Sequence, residues 1–233
     1  MGAGDDPVLR REYLRKNKRV YDELAGSSNS YYAGRVGFYL KLLSPFEKVL
    51  ASEFGAAAKV LDLGCGTGPA LRVLADNGFS AYGVDFSPKR AALARRNVPQ
   101  ANVVVGDFLS KRFDKRFQGV IMISSFHLFP SADVPLVLKR LSSLLVPGGY
   151  CLISIGENSL PKGTDRDEGY FPKTTAPDKV RFMTRYTRKG FRRVFKGLRW
   201  GDATRFYTLL DEDSEMPHVT MWMCVIIRKR GRT

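Results

Sequence analysis

The chain has 233 residues and a formal net charge of +15, from 38 Lys or Arg against 23 Asp or Glu. Its 44% hydrophobic and 26% charged residues are typical of a globular domain, which excludes a disordered, collagen-like or coiled-coil chain. Its apolar runs, such as 222–227, fall far short of the roughly 18 residues that a membrane-spanning helix requires.

The amino-terminal segment combines basic residues with Tyr and Leu at helical spacing. This periodicity predicts helices over 8–25 and 34–54, and the run Gly-Ser-Ser-Asn-Ser at 26–30 indicates a loop between them. We refer to this helical segment, residues 1–55, as the amino-terminal cap. Because charges stand where a signal peptide would need an apolar core, we expect a cytoplasmic protein.

The middle of the chain alternates between two kinds of segment. Apolar runs rich in β-branched residues are separated by stretches of helical periodicity, and the runs lie at 59–63, 80–85, 102–106, 118–124 and 149–155. Neighbouring parallel strands need a crossover helix between them, so this alternation predicts an α/β fold with a doubly wound, mostly parallel sheet.

The carboxyl-terminal part has a different pattern. Residues 157–186 contain several Gly and Pro and are predicted to form a lid or substrate loop. A basic amphipathic helix follows over 187–199, and the runs 203–210 and 219–229 suit a hairpin that ends the sheet in an antiparallel edge strand. We predict a single domain over 1–233, divided into a cap (1–55), a core (56–157), the loop and basic helix (158–200) and a terminal hairpin (201–233).

The segment VLDLGCGTGPA is the most informative part of the sequence. A buried strand ends there, and glycines follow at Gly64, Gly66 and Gly68 before a helix. Alternate glycines let the backbone turn sharply and lie against a ligand, and the start of the helix offers free amide groups. A dinucleotide-binding loop would have a glycine where this chain has Pro69, so binding of a dinucleotide diphosphate is disfavoured.

Three further strands end in side chains that suit a nucleoside. Asp85 follows the second strand, where a carboxylate accepts hydrogen bonds from two ribose hydroxyls. Asp107 and Phe108 follow the third strand and combine an acceptor for an exocyclic amine with an apolar surface for a purine ring. Ser124 ends the fourth strand, again at the edge where open α/β sheets bind their ligands.

The segments VLDLGCGTG, GVDFS, GDF and VPGGYCLIS closely resemble the class I S-adenosylmethionine-dependent methyltransferases, in particular the single-domain enzymes that act on small molecules. The resemblance covers residues 56–157. It implies S-adenosylmethionine as the cofactor and a Rossmann-like methyltransferase sheet of seven strands with an antiparallel last strand. It also implies the cofactor-binding residues: Gly64, Cys65 and Gly66 at the methionine part, Asp85 at the ribose, Phe86, Asp107 and Phe108 at the adenine, and Ser124 facing the sulfonium.

The cysteines and Asp62 have structural alternatives. Cys65, Cys151 and Cys224 lack the spacing of zinc ligands or of a disulfide framework, and we predict no metal site. Cys65 is interpreted as a small residue of the turn, because methyl transfer from a sulfonium needs no enzyme nucleophile. Asp62 either braces the glycine turn or contacts a ligand, and the sequence does not decide between the two.

His127 is the candidate catalytic residue. It follows the fourth strand, close to where the methyl group would lie, and an imidazole of ordinary pKa (about 6.5) can take a proton from a hydroxyl or amine acceptor. A purely structural role, with the ring packed beside Phe126 and Phe129, is the alternative and is favoured. In related folds the amino-terminal helices close over the cofactor, so the resemblance implies that Arg35 or Tyr31 could meet its carboxylate. The alternative is that these residues form only the packing face of a helix.

The positive charge is concentrated in residues 159–200, which hold twelve Lys or Arg against four acids. Within it, 179–199 contains nine basic residues and no acid. A solvated surface is one explanation, and attraction of an anionic substrate or of nucleic acid is the other. We expect a small-molecule acceptor, whose carboxylate or phosphate group would account for this charge, and no membrane partner. RNA methylation is the alternative, and a non-catalytic cofactor-binding subunit is less favoured.

Overall fold

The computed structural model describes residues 7–173, 176–211 and 221–231, apart from the side chains of 7–11 and 31–33. The helices are α1 (Pro7–Glu23), α2 (Ala25–Ala33), α3 (Val36–Phe54), α4 (Pro69–Asp76), α5 (Pro88–Asn97), α6 (Val134–Leu144) and α7 (Arg188–Val194). The strands are β1 (Lys59–Leu63), β2 (Ser80–Asp85), β3 (Asn102–Val105), β4 (Phe117–Ile123), β5 (Leu145–Gly156), β6 (Arg166–Lys173), β7 (Ala176–Tyr186), β8 (Gly201–Leu210) and β9 (Met221–Lys229). None of the described helices is long and apolar enough to cross a membrane.

Seven strands form one sheet in the order β3-β2-β1-β4-β5-β9-β8. The strands β1 to β5 pair in parallel, whereas β9 pairs antiparallel with both β5 and β8. This arrangement confirms the predicted doubly wound α/β fold with an antiparallel last strand. The expectation that the antiparallel strand forms the edge is wrong, because β9 docks on β5 and leaves β8 outermost.

Helices cover both faces of the sheet. On one face, α3 and α4 contribute Leu42, Phe46 and Leu71 to the core, and on the other face α6 and α7 contribute Leu141 and Phe191. The central strands β1 and β4 are almost completely buried, as their continuous apolar runs predict. With both faces covered, a ligand can reach the sheet at the strand ends.

The predicted loop at 26–30 is helical and belongs to α2. Ser28 is buried, and the side chain of Asn29 accepts a hydrogen bond of 2.6 Å from Asn97 Nδ2 of α5. These tertiary contacts outweigh the weak helix preference of Gly and Ser. The chain turns instead at Gly34 and Arg35, between α2 and α3.

The segment predicted as a lid or substrate loop contains an antiparallel hairpin, formed by β6 and β7. Asn17 of α1 holds it in place, since Asn17 Nδ2 donates to the carbonyl of Phe182 (3.1 Å) and Asn17 Oδ1 accepts from the N–H of Phe182 (2.8 Å). Two residues further along, Thr184 Oγ1 donates to the carbonyl of Phe129 at 2.7 Å. These hydrogen bonds tie the described part of β7 to α1 and to Phe129.

The basic helix is shorter than predicted. It begins after Thr187, as expected, and Thr187 Oγ1 caps it by accepting a hydrogen bond from the N–H of Gly190 (3.1 Å). It ends at Val194 rather than at 199 because the chain turns away through Gly197, which has a φ of +74°.

Candidate active site

A cleft lies at the carboxyl ends of β1, β2, β3 and β4, where open α/β sheets bind ligands. It consists of two cavities of about 280 and 60 Å³, and the larger one is lined by several basic residues whereas the smaller one is mainly apolar. We name them the charged cavity and the apolar cavity. Both are lined by Tyr21, Gly64, Arg90 and Ser124, so one ligand can extend through both.

The glycine loop after β1 forms the floor of the cleft. Gly64 has a φ of +82°, and its N–H donates to the carbonyl of Val84 on the neighbouring strand at 2.8 Å. A Cβ atom on Gly64 would come within 2.8 Å of the Cβ of Ser125, and one on Gly66 within 3.1 Å of Arg90 Nη2. Only glycine combines this φ with so little space, which is why the sequence places glycines here.

Asp85 ties the loop to the end of β2. The carboxylate is 2% exposed and accepts hydrogen bonds from the N–H groups of Gly66 (2.8 Å) and Ser87 (2.9 Å). Burial raises the pKa of this carboxyl, and the positive charge of Arg90 opposes the rise. Asp85 also lines the apolar cavity, and its oxygens have lone pairs left for ligand hydroxyls.

The apolar cavity contains the predicted adenine-binding residues Phe86, Asp107 and Phe108. Phe108 packs edge-on against Phe129, with 5.4 Å between ring centroids, and Phe86 lies 6.0 Å from the ring of Tyr21. Asp107 Oδ1 accepts a hydrogen bond from the N–H of Leu109 at 3.0 Å, which fixes the carboxylate at the end of β3. The structure therefore brings these three residues together around one slot.

Ser124 lies where the two cavities meet. Among the described residues it is the single non-glycine residue with a positive φ, 54°. Its N–H donates to the carbonyl of Ser154 on β5 at 2.9 Å, which holds the strained backbone in place. Strained residues of this kind are concentrated at functional sites, and Ser124 stays the residue predicted to face the sulfonium.

Asp62 lies under the glycine loop and lines the charged cavity. It is 3% exposed, and its Oδ1 atom has no hydrogen-bond partner among the described residues. Burial, followed by the charge of Asp85, raises the pKa of this carboxyl well above its usual range. A buried acceptor without a donor is unfavourable, so Asp62 is suited to receive a hydrogen bond from an ammonium group of a ligand.

Cys65 is buried at 3% exposure in the same loop. Burial raises the pKa of the thiol well above its usual range, so the uncharged form is present at neutral pH. Its Sγ packs against Gly83, where an added Cβ would come within 2.8 Å of the sulfur. These contacts agree with the interpretation of Cys65 as a small residue of the turn.

His127 lies in a short 3-10 turn (Phe126–Leu128) beside the cleft. Its side chain lines neither the charged nor the apolar cavity, and it is 8% exposed. Burial, and then the positive charge of Arg181, lowers the pKa of the imidazole to about 3, so the ring is neutral at physiological pH. Its Nδ1 atom has no hydrogen-bond partner in the described part of the chain.

The wall opposite the floor contains side chains from α1, the α2–α3 junction and α3, among them Tyr21, Arg35 and Tyr39. Arg35, predicted to meet the cofactor carboxylate, forms a buried ion pair with Asp211, which also accepts a hydrogen bond from Trp222 Nε1 at 3.0 Å. The charge of Arg35 is therefore already balanced within the protein. The side chain of Tyr31 lies outside the described residues.

Sequence reasoning missed four residues of the charged cavity: Arg90, Lys173, Arg181 and Trp222. Arg90 lies over the ring of Tyr21, 4.9 Å from its centroid, and beside Gly66. Lys173 and Arg181 come from the β6–β7 hairpin, and burial, followed by the charges of Arg181 and Arg90, lowers the pKa of Lys173 to about 8. Arg181 belongs to the basic run 179–199, but no sequence signal placed it or the other three residues at the cleft.

Metal ligands are not grouped in the described residues, where no three or more His, Cys, Asp or Glu side chains are placed to hold an ion. The site is therefore built from backbone amides, carboxylates, aromatic rings and basic side chains. The elongated cleft has an apolar end for a purine and a charged end with an unsatisfied carboxylate for an amino-acid moiety. The residues present fit S-adenosylmethionine.

The profile of the methyltransferase domain matches residues 60–149, which run from β1 to β5. Residues 60–149 thus resemble a methyltransferase domain, in agreement with the resemblance that the sequence motifs carry. The fold of the chain is that of solved methyltransferases. A 1,6-didemethyltoxoflavin-N1-methyltransferase from Burkholderia thailandensis superposes with a TM-score of 0.67 and 18% identity, over 94% of this chain and 90% of that enzyme. An S-adenosylmethionine-dependent methyltransferase from Methanosarcina mazei superposes with a TM-score of 0.64 and 16% identity, over 79% of this chain and 98% of that enzyme.

Curated relatives of this chain include two enzymes named as sugar N,N-dimethyltransferases. The dTDP-3-amino-3,6-dideoxy-alpha-D-glucopyranose N,N-dimethyltransferase of Streptomyces fradiae is 36% identical over 99 residues, which are 42% of this chain and 39% of that enzyme. The dTDP-3-amino-3,4,6-trideoxy-alpha-D-glucopyranose N,N-dimethyltransferase of Streptomyces venezuelae is 25% identical over 194 residues, 81% of this chain and 76% of that enzyme. An uncharacterized methyltransferase of Bacillus mycoides is matched over 62% of its length. The chain thus leaves substantial parts of these relatives unmatched.

Proposed function

We propose that this chain transfers a methyl group from S-adenosylmethionine to a small molecule by direct displacement. The observation that carries the proposal is the continuous cleft, whose apolar and charged cavities meet at the strained Ser124. When bound, S-adenosylmethionine supplies a methyl group that its positively charged sulfur makes reactive.

The floor residues have distinct tasks in holding the cofactor. Asp62 and the backbone of Gly64 and Gly66 hold the amino-acid part, because Asp62 has an unsatisfied acceptor and the glycines leave room. Asp85 receives the ribose hydroxyls. The slot in the apolar cavity, formed by Phe86, Asp107 and Phe108, receives the adenine.

The protein contributes mainly orientation and exclusion of water. Phe38, Tyr39 and Trp222 give the charged cavity an aromatic side. Holding two reactants in line in such a cavity contributes roughly 7–11 kcal/mol at best. His127 stays a predicted base, and its place outside the cleft supports the structural alternative. An acceptor that arrives as a neutral amine needs no base, and the N,N-dimethyltransferase relatives support this choice of acceptor.

We extend the proposal to an acceptor that carries a negative charge. Four basic side chains line the charged cavity: Arg35, Arg90, Lys173 and Arg181. Among the described lining residues, Asp62 is the single acid, so the basic side chains outnumber it. This excess of positive charge supports a carboxylate or phosphate group on the acceptor.

Calorimetric titration with S-adenosylmethionine tests whether the chain binds the proposed cofactor. The wild-type chain should bind, D85N should bind at least about tenfold more weakly, and the control D76N, on α4 and away from the cleft, should bind as wild type. A wild-type chain that does not bind would overturn both the enzyme and the cofactor-binding-subunit proposals. Methyl transfer from labelled cofactor to a panel of amines, including dTDP-linked amino sugars, then separates an enzyme from a binding subunit.

RNA methylation is the second candidate, supported by a groove between α7 and β8. This groove, of about 560 Å³, is lined by five basic residues and two aromatic ones: Arg188, Lys189, Arg192, Arg193, Phe195, Lys196 and Phe206. It shares no lining residue with the cleft, which favours the small molecule. Loss of the labelled product after ribonuclease treatment of a cell extract would reverse that preference.

A further inference from the structure

The basic residues of 179–199 differ in whether a carboxylate of the chain pairs with them. Several contact a carboxylate from another part of the chain: Lys179 with Glu23, Arg185 with Asp167, Arg188 with Glu157, and Arg193 with Asp165. Much of the local charge excess in the sequence is therefore neutralised in the fold. Arg181, in the middle of β7, makes no such ion pair with a described residue.

Arg181 is also poorly supplied with hydrogen-bond acceptors. Its Nε and Nη1 atoms are both buried, and neither has a hydrogen-bond partner among the described residues. Burying guanidinium N–H groups without acceptors is unfavourable, and native proteins do so where a ligand supplies the acceptor. Because Arg181 lines the charged cavity, such a ligand would be bound there.

The surroundings of Arg181 are positively charged. Lys173, at the end of β6, lines the same cavity, and Arg181 and Arg90 are close enough to lower the pKa of its ammonium. Positive charges that repel one another in a partly buried cavity are stabilised when an anion lies between them. Arg35, the other cation of the cavity, has Asp211 as its ionic partner and is less available for this purpose.

The position of Arg181 is fixed by its neighbours along β7. Both backbone groups of Phe182 are held by Asn17 of α1, and the Tyr13 ring packs against the Phe182 ring at 5.3 Å between centroids. Thr184 is anchored to the carbonyl of Phe129. Since the backbone on the carboxyl-terminal side of Arg181 is held in this way, the guanidinium is presented from a rigid strand, as a specific site requires.

We infer that Arg181, with Lys173 beside it, binds a carboxylate or phosphate group of the methyl acceptor and thereby selects anionic acceptors. The inference rests on the proposed function. Arginine suits this task because the planar guanidinium donates several hydrogen bonds to carboxylate or phosphate oxygens. The hairpin β6–β7 is then the element that determines acceptor specificity, whereas the glycine loop and strand ends bind the cofactor.

The experiment uses three variants of the full chain. R181Q removes the charge, R181K keeps the charge but loses the planar group, and R185Q is the control, because Arg185 lies on the same strand, pairs with Asp167 and lines neither cavity. Each variant is saturated with S-adenosylhomocysteine and titrated with inorganic phosphate and with acetate. The affinity for S-adenosylhomocysteine and for 5′-methylthioadenosine, which lacks the amino-acid carboxylate, is measured separately.

We expect R181Q to bind phosphate or acetate at least about tenfold more weakly than wild type, R181K to be intermediate, and R185Q to be unchanged. Affinity for S-adenosylhomocysteine should stay the same in all three. The melting temperature of R181Q should not fall below that of R185Q, since Arg181 Nε and Nη1 have no hydrogen-bond partners in the described residues.

Other outcomes would contradict the inference in distinguishable ways. Equal anion binding by wild type and R181Q, or none by wild type, would overturn it. Weaker binding of S-adenosylhomocysteine but not of 5′-methylthioadenosine by R181Q would assign Arg181 to the cofactor carboxylate instead. If wild type failed to bind S-adenosylhomocysteine, the proposed function would fall, while titration of the free chain with phosphate would still decide whether Arg181 binds an anion.

Discussion

The floor of the cleft and the wall opposite it are built in different ways. The floor consists of strand ends and the glycine loop, held by backbone hydrogen bonds between neighbouring strands, such as that from Gly64. The wall consists of side chains from distant parts of the chain: Arg35 and Asp211 are 176 residues apart, and Asn17 and Phe182 are 165 apart. Backbone geometry therefore sets the floor, and long-range side-chain contacts set the wall.

Breaking the Arg35–Asp211 ion pair tests the wall and should have the largest effect. R35M leaves the buried Asp211 carboxylate with the hydrogen bond from Trp222 but without its ionic partner. Removing one partner of a buried pair costs about 3–5 kcal/mol, so the free energy of unfolding in urea should fall by that amount. Adding D211N to R35M should restore part of it. Unchanged stability of R35M would contradict the dependence of the wall on this pair.

Filling the space above the floor tests the glycine loop. G64A places a Cβ within 2.8 Å of the Cβ of Ser125, at a φ of +82° that alanine rarely adopts. The displaced loop should bind S-adenosylmethionine at least about 100-fold more weakly, equivalent to about 2.7 kcal/mol. The matched control is G78A, because Gly78 also has a positive φ, +89°, but its nearest contact is 3.9 Å away. G78A should lose stability and keep its affinity, and equal affinities of the two variants would contradict the prediction.

The floor and the wall also differ in how far the sequence predicts them. The glycine spacing and the acids at the ends of predicted strands locate Gly64, Asp85 and Asp107 at the cleft, because parallel strands bring their carboxyl ends to one edge. The basic run 179–199 includes Arg181, but nothing in the sequence places Arg181 or Lys173 at the cleft. The Gly and Pro residues around them predict a loop, and the hairpin is stabilised by its pairing and by α1, which lies far away in sequence.

The same limit applies to the amino-terminal helices. The composition of 26–30 favours a loop, and the segment is helical because Asn29 contacts Asn97 of α5. His127 was placed correctly after the fourth strand, but the sequence did not reveal that its side chain lines neither cavity. Local patterns thus predict elements, and tertiary contacts decide which side chains reach a ligand.

Protonation of His127 should destabilise the folded chain at low pH. The pKa of His127 is lowered to about 3 in the folded state, against about 6.5 when unfolded, so between these values the unfolded chain binds one more proton. Stability from this residue is therefore complete above pH 6.5 and is lost as the pH falls. At about pH 5 the loss is about 2 kcal/mol relative to neutral pH.

The H127Q variant isolates this contribution. The free energy of unfolding is measured in urea at about pH 7.5 and at about pH 5. The loss of this free energy between the two pH values should be about 2 kcal/mol smaller for H127Q than for wild type. An equal pH dependence would contradict the burial of a neutral imidazole. With an acceptor in hand, H127A should keep its turnover, because the side chain lines neither cavity, and a large loss would restore the general-base role.

Neutralising exposed charges on the α7 surface should have the smallest effect on binding in the cleft. This prediction distinguishes the α7 surface from the β6–β7 hairpin. Lys189 and Lys196 are exposed and line the groove beside β8, which shares no residue with the cleft. The K189Q/K196Q double variant should therefore bind S-adenosylhomocysteine, phosphate and acetate as wild type does, in contrast to R181Q.

If RNA is the acceptor instead, the double variant should bind RNA more weakly, and the slope of log affinity against log salt should fall by roughly 1.4 to 1.8 for the two lost contacts. The two basic regions carry charge of the same sign, and the difference between these variants depends on whether a buried cavity or open solvent faces that charge.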